Sequence, residues 1–287
     1  MTITRNTPTV HELTAVTAAL TAWQSDDRLT QLHPGDVGWF RRFGAERTAG
    51  ALRTWHREGE ILAVGLLDGA DLLRLEIAPE ALQDEELARR LAADAATPRQ
   101  GVLPEGGATV ATPPGAAVRE LLAGHGWAAG EAWTALRREL AAPVPDPGLR
   151  VETVGPAQAP ERALVQRSAF PGSTFTEEAW HTMAAAAPYT AARCLLARDG
   201  RGRPVATVTV WSAGAGRPGL IEPMGVHADH RGLGHGRAVV LAAARTLRAL
   251  GSSSAVVATP STGTAAVATY RSAGFRPLPE LRDLHRR

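Results

Sequence analysis

Three glycines at alternate positions, Gly232, Gly234 and Gly236, separate a short apolar strand ending at Val226 from an Ala/Leu/Val run at helical spacing that begins at Arg237. A break of that kind gathers backbone N–H groups at a helix N-terminus, where unpaired donors and the positive end of the helix dipole favour an anion. Glycine lets a phosphate reach the backbone closely. Spacing narrows the ligand. Counted from Gly232, a dinucleotide fingerprint wants Gly or Ala where Arg237 stands. All 31 basic residues are arginine, so the Walker lysine is missing and lysine Schiff-base chemistry is excluded as well. His227, His230 and His235 straddle a turn and this loop without a zinc-like spacing, so they read as loop histidines and no metal is expected.

What remains, Arg231-x-x-Gly234-x-Gly236, resembles the pyrophosphate loop of the GCN5-related N-acetyltransferases (GNAT), Arg/Gln-x-x-Gly-x-Gly/Ala. Gly263 to Phe275 resembles that family's second conserved block, with Ala266, Tyr270, Gly274 and Phe275 on pattern and Gly263 where Asn is usual. The resemblance covers the C-terminal half and implies acetyl-CoA as cosubstrate. It implies that the main chain of Gly232, Leu233, Gly234, His235, Gly236 and Arg237 holds the pyrophosphate, with charge added by Arg231 and Arg237. Met224, Gly225 and Val226 would lie on a strand splayed from its neighbour and bind the acetyl and pantetheine portion. Tyr270 would protonate the departing thiolate, a reasonable match for a phenol of similar basicity. Glu222 precedes Met224 by two positions, so alternation places both on one face. Its carboxylate either deprotonates the incoming ammonium, directly or through water, or pairs with an arginine. Phe175, Trp180 and Trp211 are candidates for the acceptor pocket, with core packing as the default for aromatic residues.

The elements that must position these residues are readable from periodicity. In the first half, helices are predicted at Val10–Ala22 and Val37–Phe43, a hairpin at 60–67 and 72–77, and a helix at 83–96. A strand at 108–112 and a helix at 115–123 follow, with Trp127 and Trp133 marking late strands. After the proline-rich stretch 141–149 the second half reads strand 149–154, helix 160–169, helix 177–186, and strands 192–198 and 205–212. The glycine loop, helix 234–250 and strand 255–259 complete it. Gly115 to Trp127 aligns with Gly263 to Phe275 without a gap, Gly126 on Gly274 and Leu122 on Tyr270. The expected architecture is therefore α/β: two tandem GNAT-like domains, each a mixed, mostly antiparallel sheet flanked by helices. Residues 1–140 would be a degenerate copy without the pyrophosphate loop, 141–149 a linker and 150–287 the catalytic domain.

At 44% hydrophobic and 21% charged residues, the chain has the composition of a globular protein with a sizeable core. A net charge of +2 with scattered arginines gives no reason for nucleic acid as a partner. No run of membrane-spanning length and no leader at the N-terminus is seen, and the single cysteine, Cys194, rules out a disulfide within the chain, so a cytoplasmic setting is expected. The expected activity is acetyl transfer from acetyl-CoA to a primary amine of a small molecule, by a monomer or homodimer. A tandem layout similar to mycothiol synthase and to aminoglycoside or kasugamycin N-acetyltransferases suggests an amino sugar or aminoglycoside acceptor. A mycothiol-synthase-like or protein N-acetyltransferase, or a CoA-sensing protein without turnover, is the alternative.

Overall fold

Alternating apolar runs and turn glycines set out thirteen strands among the described residues, 2–98 and 101–287, of the computed structural model. In chain order they are β1 (Thr4–Asn6), β2 (Leu52–Arg57), β3 (Glu60–Leu67), β4 (Leu72–Ile77), β5 (Ala108–Ala111), β6 (Ala128–Glu139) and β7 (Arg150–Thr153). β8 (Ala192–Arg198), β9 (Pro204–Ser212), β10 (Gly219–Val226), β11 (Ser254–Pro260), β12 (Arg276–Pro277) and β13 (Leu281–Arg286) follow. The helices are α1 (Leu13–Ala22), α2 (Pro34–Phe40), α3 (Ala45–Ala51), α4 (Glu85–Ala96), α5 (Val118–Gly124), α6 (Ala159–Ala169), α7 (Glu177–Ala184), α8 (His235–Ala249) and α9 (Thr264–Ser272). Among the described residues no helix is long and apolar enough to cross a membrane.

The chain forms two units, Met1–His33 with Ala45–Trp133 and Glu280–Arg287, and Pro34–Gly44 with Thr134–Pro279. This departs from the division expected at 140 and 150. The change of unit falls inside β6, and 141–149 lies within the second unit, where Val144 is buried in the core. Proline there stiffens a crossing segment and does not mark a boundary. α2 belongs with the second unit and β13 with the first.

In the first unit, β1 through β4 are antiparallel neighbours, β4 runs parallel to β5, and β13 pairs antiparallel with β5 and with the start of β6. The hairpin around Asp68 and Gly69 lies where the sequence predicts it. β13 was not readable because a register shift between Arg282 and Leu284 leaves its two buried leucines three residues apart, which breaks the strand period.

In the second unit, β7 through β10 are antiparallel, β10 is parallel to β11, and β11 neighbours the second half of β6. Alternation along the strands divides the core into two. Leu195, Ala197, Val208, Val210 and Ile221 face α8 and α9, whereas Cys194, Leu196, Trp211 and Leu220 face α6 and α7. α2 packs on the second face through Trp39, which stacks on Phe175 at 5.2 Å between centroids. A Cβ at Gly38 would stand 2.3 Å from Trp211 Cζ3. Gly38→Ala is therefore expected to destabilise the second unit by about 1–3 kcal/mol through overpacking, read as a lower urea midpoint. An unchanged midpoint would mean that α2 does not pack as closely as this.

The two units repeat their backbone bonds. Ala78 N–H donates to Leu62 O and His227 N–H to Val205 O, both at 2.9 Å, and each opens a 3₁₀ turn with ψ of 136°. Trp127 N–H to Leu122 O and Phe275 N–H to Tyr270 O are both 3.1 Å, each just after a positive-φ glycine, Gly126 or Gly274. The gap-free alignment thus marks equivalent turns in the two halves. They differ between the 3₁₀ turn and the next helix. From Ala78 to the α4 cap Asp84 is one residue shorter than from His227 to the α8 cap Gly234, and Asp84 supplies a carboxylate where Gly234 has none.

Candidate active site

β10 is the organising strand, and its pairing changes partway along. β9 registers with β10 from Gly219 to Val226, whereas β11 registers only with Gly219 and Leu220, through Ala255 and Val256. A bulge falls between Ile221 and Met224, at Glu222 and Pro223, whose peptide bond is cis. The bulge breaks strict alternation, so the period-two placement of Glu222 beside Met224 does not follow from spacing.

The chain leaving β10 is fastened to the end of α6. Ala228 N–H donates to Ser168 Oγ at 3.0 Å, and Arg231 Nη2 to Ala169 O at 2.8 Å. A Cβ on Gly225 would lie 2.5 Å from that of Ala169, so only glycine allows this approach. The loop then turns through Gly232 (φ +76°) and Gly234 (φ +82°), conformations costly for residues with a Cβ. The first helical bond, Ala238 N–H to Gly234 O, leaves the amides of His235, Gly236 and Arg237 in the unpaired first turn. Residues 231–234 are exposed, with Leu233 presenting two thirds of its surface. Gly236 sits where a Cβ would be 3.0 Å from Thr269 Cγ2, which allows α8 to lie close against α9. Arg237 Nε donates to Ser272 O at 3.0 Å, so each arginine also ties the loop to a neighbouring helix end. The result is an open cradle of amides at the start of a helix of fifteen residues. In the first unit the equivalent place is filled. Asp84 Oδ1 accepts Leu87 N–H at 2.9 Å and its carboxylate is held by Arg57.

His227, His230 and His235 follow one another along the cradle with their rings tilted by about 60° to each other, successive centroids being 5.3 and 6.2 Å apart. Burial pushes the His235 pKa down, as does the neighbouring His230, while Asp199 opposes them. Among the described residues no group of three or more His, Cys, Asp or Glu side chains is placed to hold a metal ion.

Tyr270 is buried on α9 beside Phe275, in the cluster that Met224 and Val226 pack against. Burial raises its pKa, and the Glu222 carboxylate raises it further, which puts Glu222 and Tyr270 within electrostatic reach. Gly263 caps α9 in a tight turn. Its N–H donates to Pro260 O at 2.8 Å and a Cβ would stand 3.0 Å from the same oxygen, a close contact at the position where the family pattern has Asn.

Phe175, Trp180 and Trp211 come together, but in the core on the other face of the sheet from Tyr270. Trp211 alone touches the bulge, its Nε1 donating to Glu222 O at 2.8 Å. Sequence reasoning missed Arg162 and Gln166, buried on the inner stripe of α6. The signal was available: Ala159, Arg162, Ala163 and Gln166 follow helical spacing, with polar residues at two positions of the buried face.

The acetyltransferase (GNAT) family model matches residues 163–275. A comparison with curated proteins gives no match. Among solved structures, the chain is similar to a GCN5-related N-acetyltransferase from Sphaerobacter thermophilus, with 22% identity, TM-score 0.59 and coverage of 99% of this chain and 95% of the other. A tandem GNAT protein from the clavulanic acid biosynthesis pathway gives 17% identity and TM-score 0.62 over 99% and 98% of the two chains. A GNAT-family acetyltransferase from Colwellia psychrerythraea gives 14% identity and TM-score 0.62 over the same shares. These likenesses give the whole chain the fold of tandem GNAT proteins, and residues 163–275, which carry the glycine cradle and the tyrosine helix, match the acetyltransferase (GNAT) family model.

Proposed function

We propose that the protein is an acetyl-CoA-dependent N-acetyltransferase acting on a primary amine of a small molecule by direct attack in a ternary complex. The observation that carries this reading is the cradle at Gly232–Arg237 opening beside a strand that has left its parallel neighbour, with Tyr270 on the adjoining helix. The amides of the cradle suit a diphosphate, and Arg231 and Arg237 add positive charge. Met224, Gly225 and Val226 offer backbone groups to the thioester arm and its carbonyl oxygen. In the transfer, the amine nitrogen forms a bond to the acyl carbon as the carbon–sulfur bond breaks. The proton lost by the ammonium passes to Glu222, directly or through water; the thiolate takes one from Tyr270, and the second proton, shed by the nitrogen as it becomes an amide, restores the tyrosine hydroxyl by way of solvent. The first unit, with Asp84 filling its own helix start, serves as a degenerate copy without a pyrophosphate site. The tandem layout suggests amino sugars and aminoglycosides as the first acceptor classes to screen.

Free-thiol release from acetyl-CoA across an amine library tests the function. Amine-dependent release is expected, and binding of acetyl-CoA without release for any amine would favour a sensor. Glu222→Gln is expected to lower kcat/KM by about 10²-fold and to remove the ascending limb of its pH profile. A profile unchanged in shape would assign the proton to water alone.

The row of histidines predicts a pH effect on the cosubstrate. His235 has a lowered pKa and is mostly neutral at pH 7; a nearby phosphate would raise it, so binding takes up a proton. Affinity for acetyl-CoA should tighten by about 3–10-fold between pH 8 and pH 6. Calorimetry in buffers of different ionisation enthalpy measures the proton uptake, and its absence would place the phosphates away from His235.

A further inference from the structure

Arg162 is a fully buried cation whose hydrogen-bond partners are neutral. It is 0% exposed, Nη1 donates to Gln166 Oε1 at 2.9 Å, Nη2 donates to Thr209 Oγ1 at 3.2 Å, and buried Nε has no partner. Its Cζ lies 4.4 Å from the Phe175 ring centroid and 5.9 Å from that of Trp39. Among the described residues no carboxylate forms an ion pair with it, whereas Arg28 has one such partner and Arg57 and Arg198 have two each. Aromatic faces and neutral oxygens offset only part of the cost of removing a guanidinium from water; a buried charge ordinarily has an opposite charge beside it.

The location of that unanswered charge is informative. Thr209 stands between Val208 and Val210, which register with Met224 and Ile221, so it lies opposite the Glu222–Pro223 bulge. Neighbouring strands are about 5 Å apart. Arg162 is thus held against β9 at the position registered with the bulge, on the α6 and α7 face of the sheet, so that an acceptor would reach from this face past the bulge toward Tyr270 on the other. Its aromatic cover is connected to an exposed segment. Phe175 ends the loop after α6, in which Pro171, Gly172 and Thr174 are exposed, and Arg167 Nη1 holds Phe175 O at 2.8 Å. Because the guanidinium is fully buried, a ligand can reach it only if part of its cover moves.

We propose that Arg162 receives a carboxylate of the acceptor, so that the substrate is an amino acid or ω-amino acid whose amine and carboxylate are a few carbons apart. The planar guanidinium matches a carboxylate in a two-point geometry, with Nε and an Nη facing the two oxygens. The proposal rests on the acetyltransferase reading and selects within it. A polycationic aminoglycoside would meet Arg162 as a like charge, so the zwitterionic amine takes precedence over the acceptor class suggested by layout.

The test is free-thiol release from acetyl-CoA with matched acceptors: β-alanine, γ-aminobutyrate and δ-aminovalerate against ethylamine, propylamine and butylamine, with glucosamine as the neutral amino sugar. For the best pair, kcat/KM is expected to favour the amino acid by about 100-fold or more, because its absence leaves a buried donor unpaired. Arg162→Gln should lose most of that preference through KM. The same amino acid should raise the Tm of the wild-type protein but not of the variant. Without ligand, Arg162→Met should keep or raise Tm, since it replaces an uncompensated charge with an apolar side chain. Equal use of amines with and without the carboxylate overturns the proposal, as does preference for glucosamine. A Tm lowered by several degrees in Arg162→Met, with wild-type Tm unmoved by every amino acid, would make Arg162 a core residue only. In each of those cases acetyl-CoA still binds and the acetyltransferase reading stands. Absence of acetyl-CoA binding by calorimetry would instead remove the reading on which the proposal rests.

Discussion

Tyr270→Phe is expected to lower kcat by about 10²–10³-fold while the Kd for acetyl-CoA stays within about 3-fold, the loss associated with a positioned general acid. The substitution removes one oxygen from a side chain that is 5% exposed and packed on Phe275, so the volume of the core changes little and the fold should persist. The sign of the pKa shift supports an acid. Burial and the Glu222 charge both disfavour the phenolate, so the hydroxyl keeps its proton past the pH at which an ordinary tyrosine, near 10, would lose it. The wild-type profile of kcat should then show no descending limb below about pH 10. A phenylalanine variant with full activity would show that the thiolate leaves without this proton, and would reduce Tyr270 to a packing residue.

Gly234→Asp is expected to weaken acetyl-CoA binding by about 10²-fold or more, through two effects that act together. The position has φ of +82°, where a residue with a Cβ is strained by about 1–2 kcal/mol. A carboxylate at the start of α8 would also compete with phosphate for the first-turn amides and repel it, as Asp84 does for α4 when it accepts Leu87 N–H. The variant copies into the second unit the carboxylate cap that α4 has in the first. Because Asp is a good helix cap and tolerates a left-handed backbone better than most residues, its Tm should fall by only a few degrees. Calorimetry and thermal unfolding on the same sample separate the effects. A variant that binds acetyl-CoA normally would mean that the phosphates lie elsewhere.

The parts of the site that the sequence discloses are those where residue type dictates backbone conformation. Glycine at 232 and 234 corresponds to positive φ, glycine at 225 and 236 to close approach of neighbouring elements, and the run after Gly234 to a helix of the expected length. The hairpins follow from alternation and turn residues. What escaped depends on partners distant in sequence. α2 packs in the second unit because Gly38 admits the Trp211 ring, a matter of shape that no local pattern encodes. β13 escaped because its bulge spoils the period, and the bulge in β10 likewise separates Glu222 from the alternation that spacing assigns to it. Phe175, Trp180 and Trp211 do cluster, but around a buried arginine and away from Tyr270, since aromatic type alone does not specify which face of a sheet a residue covers.

The most direct measurement is an acetyl-CoA titration followed at the amide resonances of the isotope-labelled protein. If the cradle grips the diphosphate, the largest shifts should fall on Gly232 to Arg237, with smaller ones along Met224–Val226, and should saturate at one equivalent. Saturating shifts that leave Gly232–Arg237 unmoved, or no shifts at all, would contradict the account.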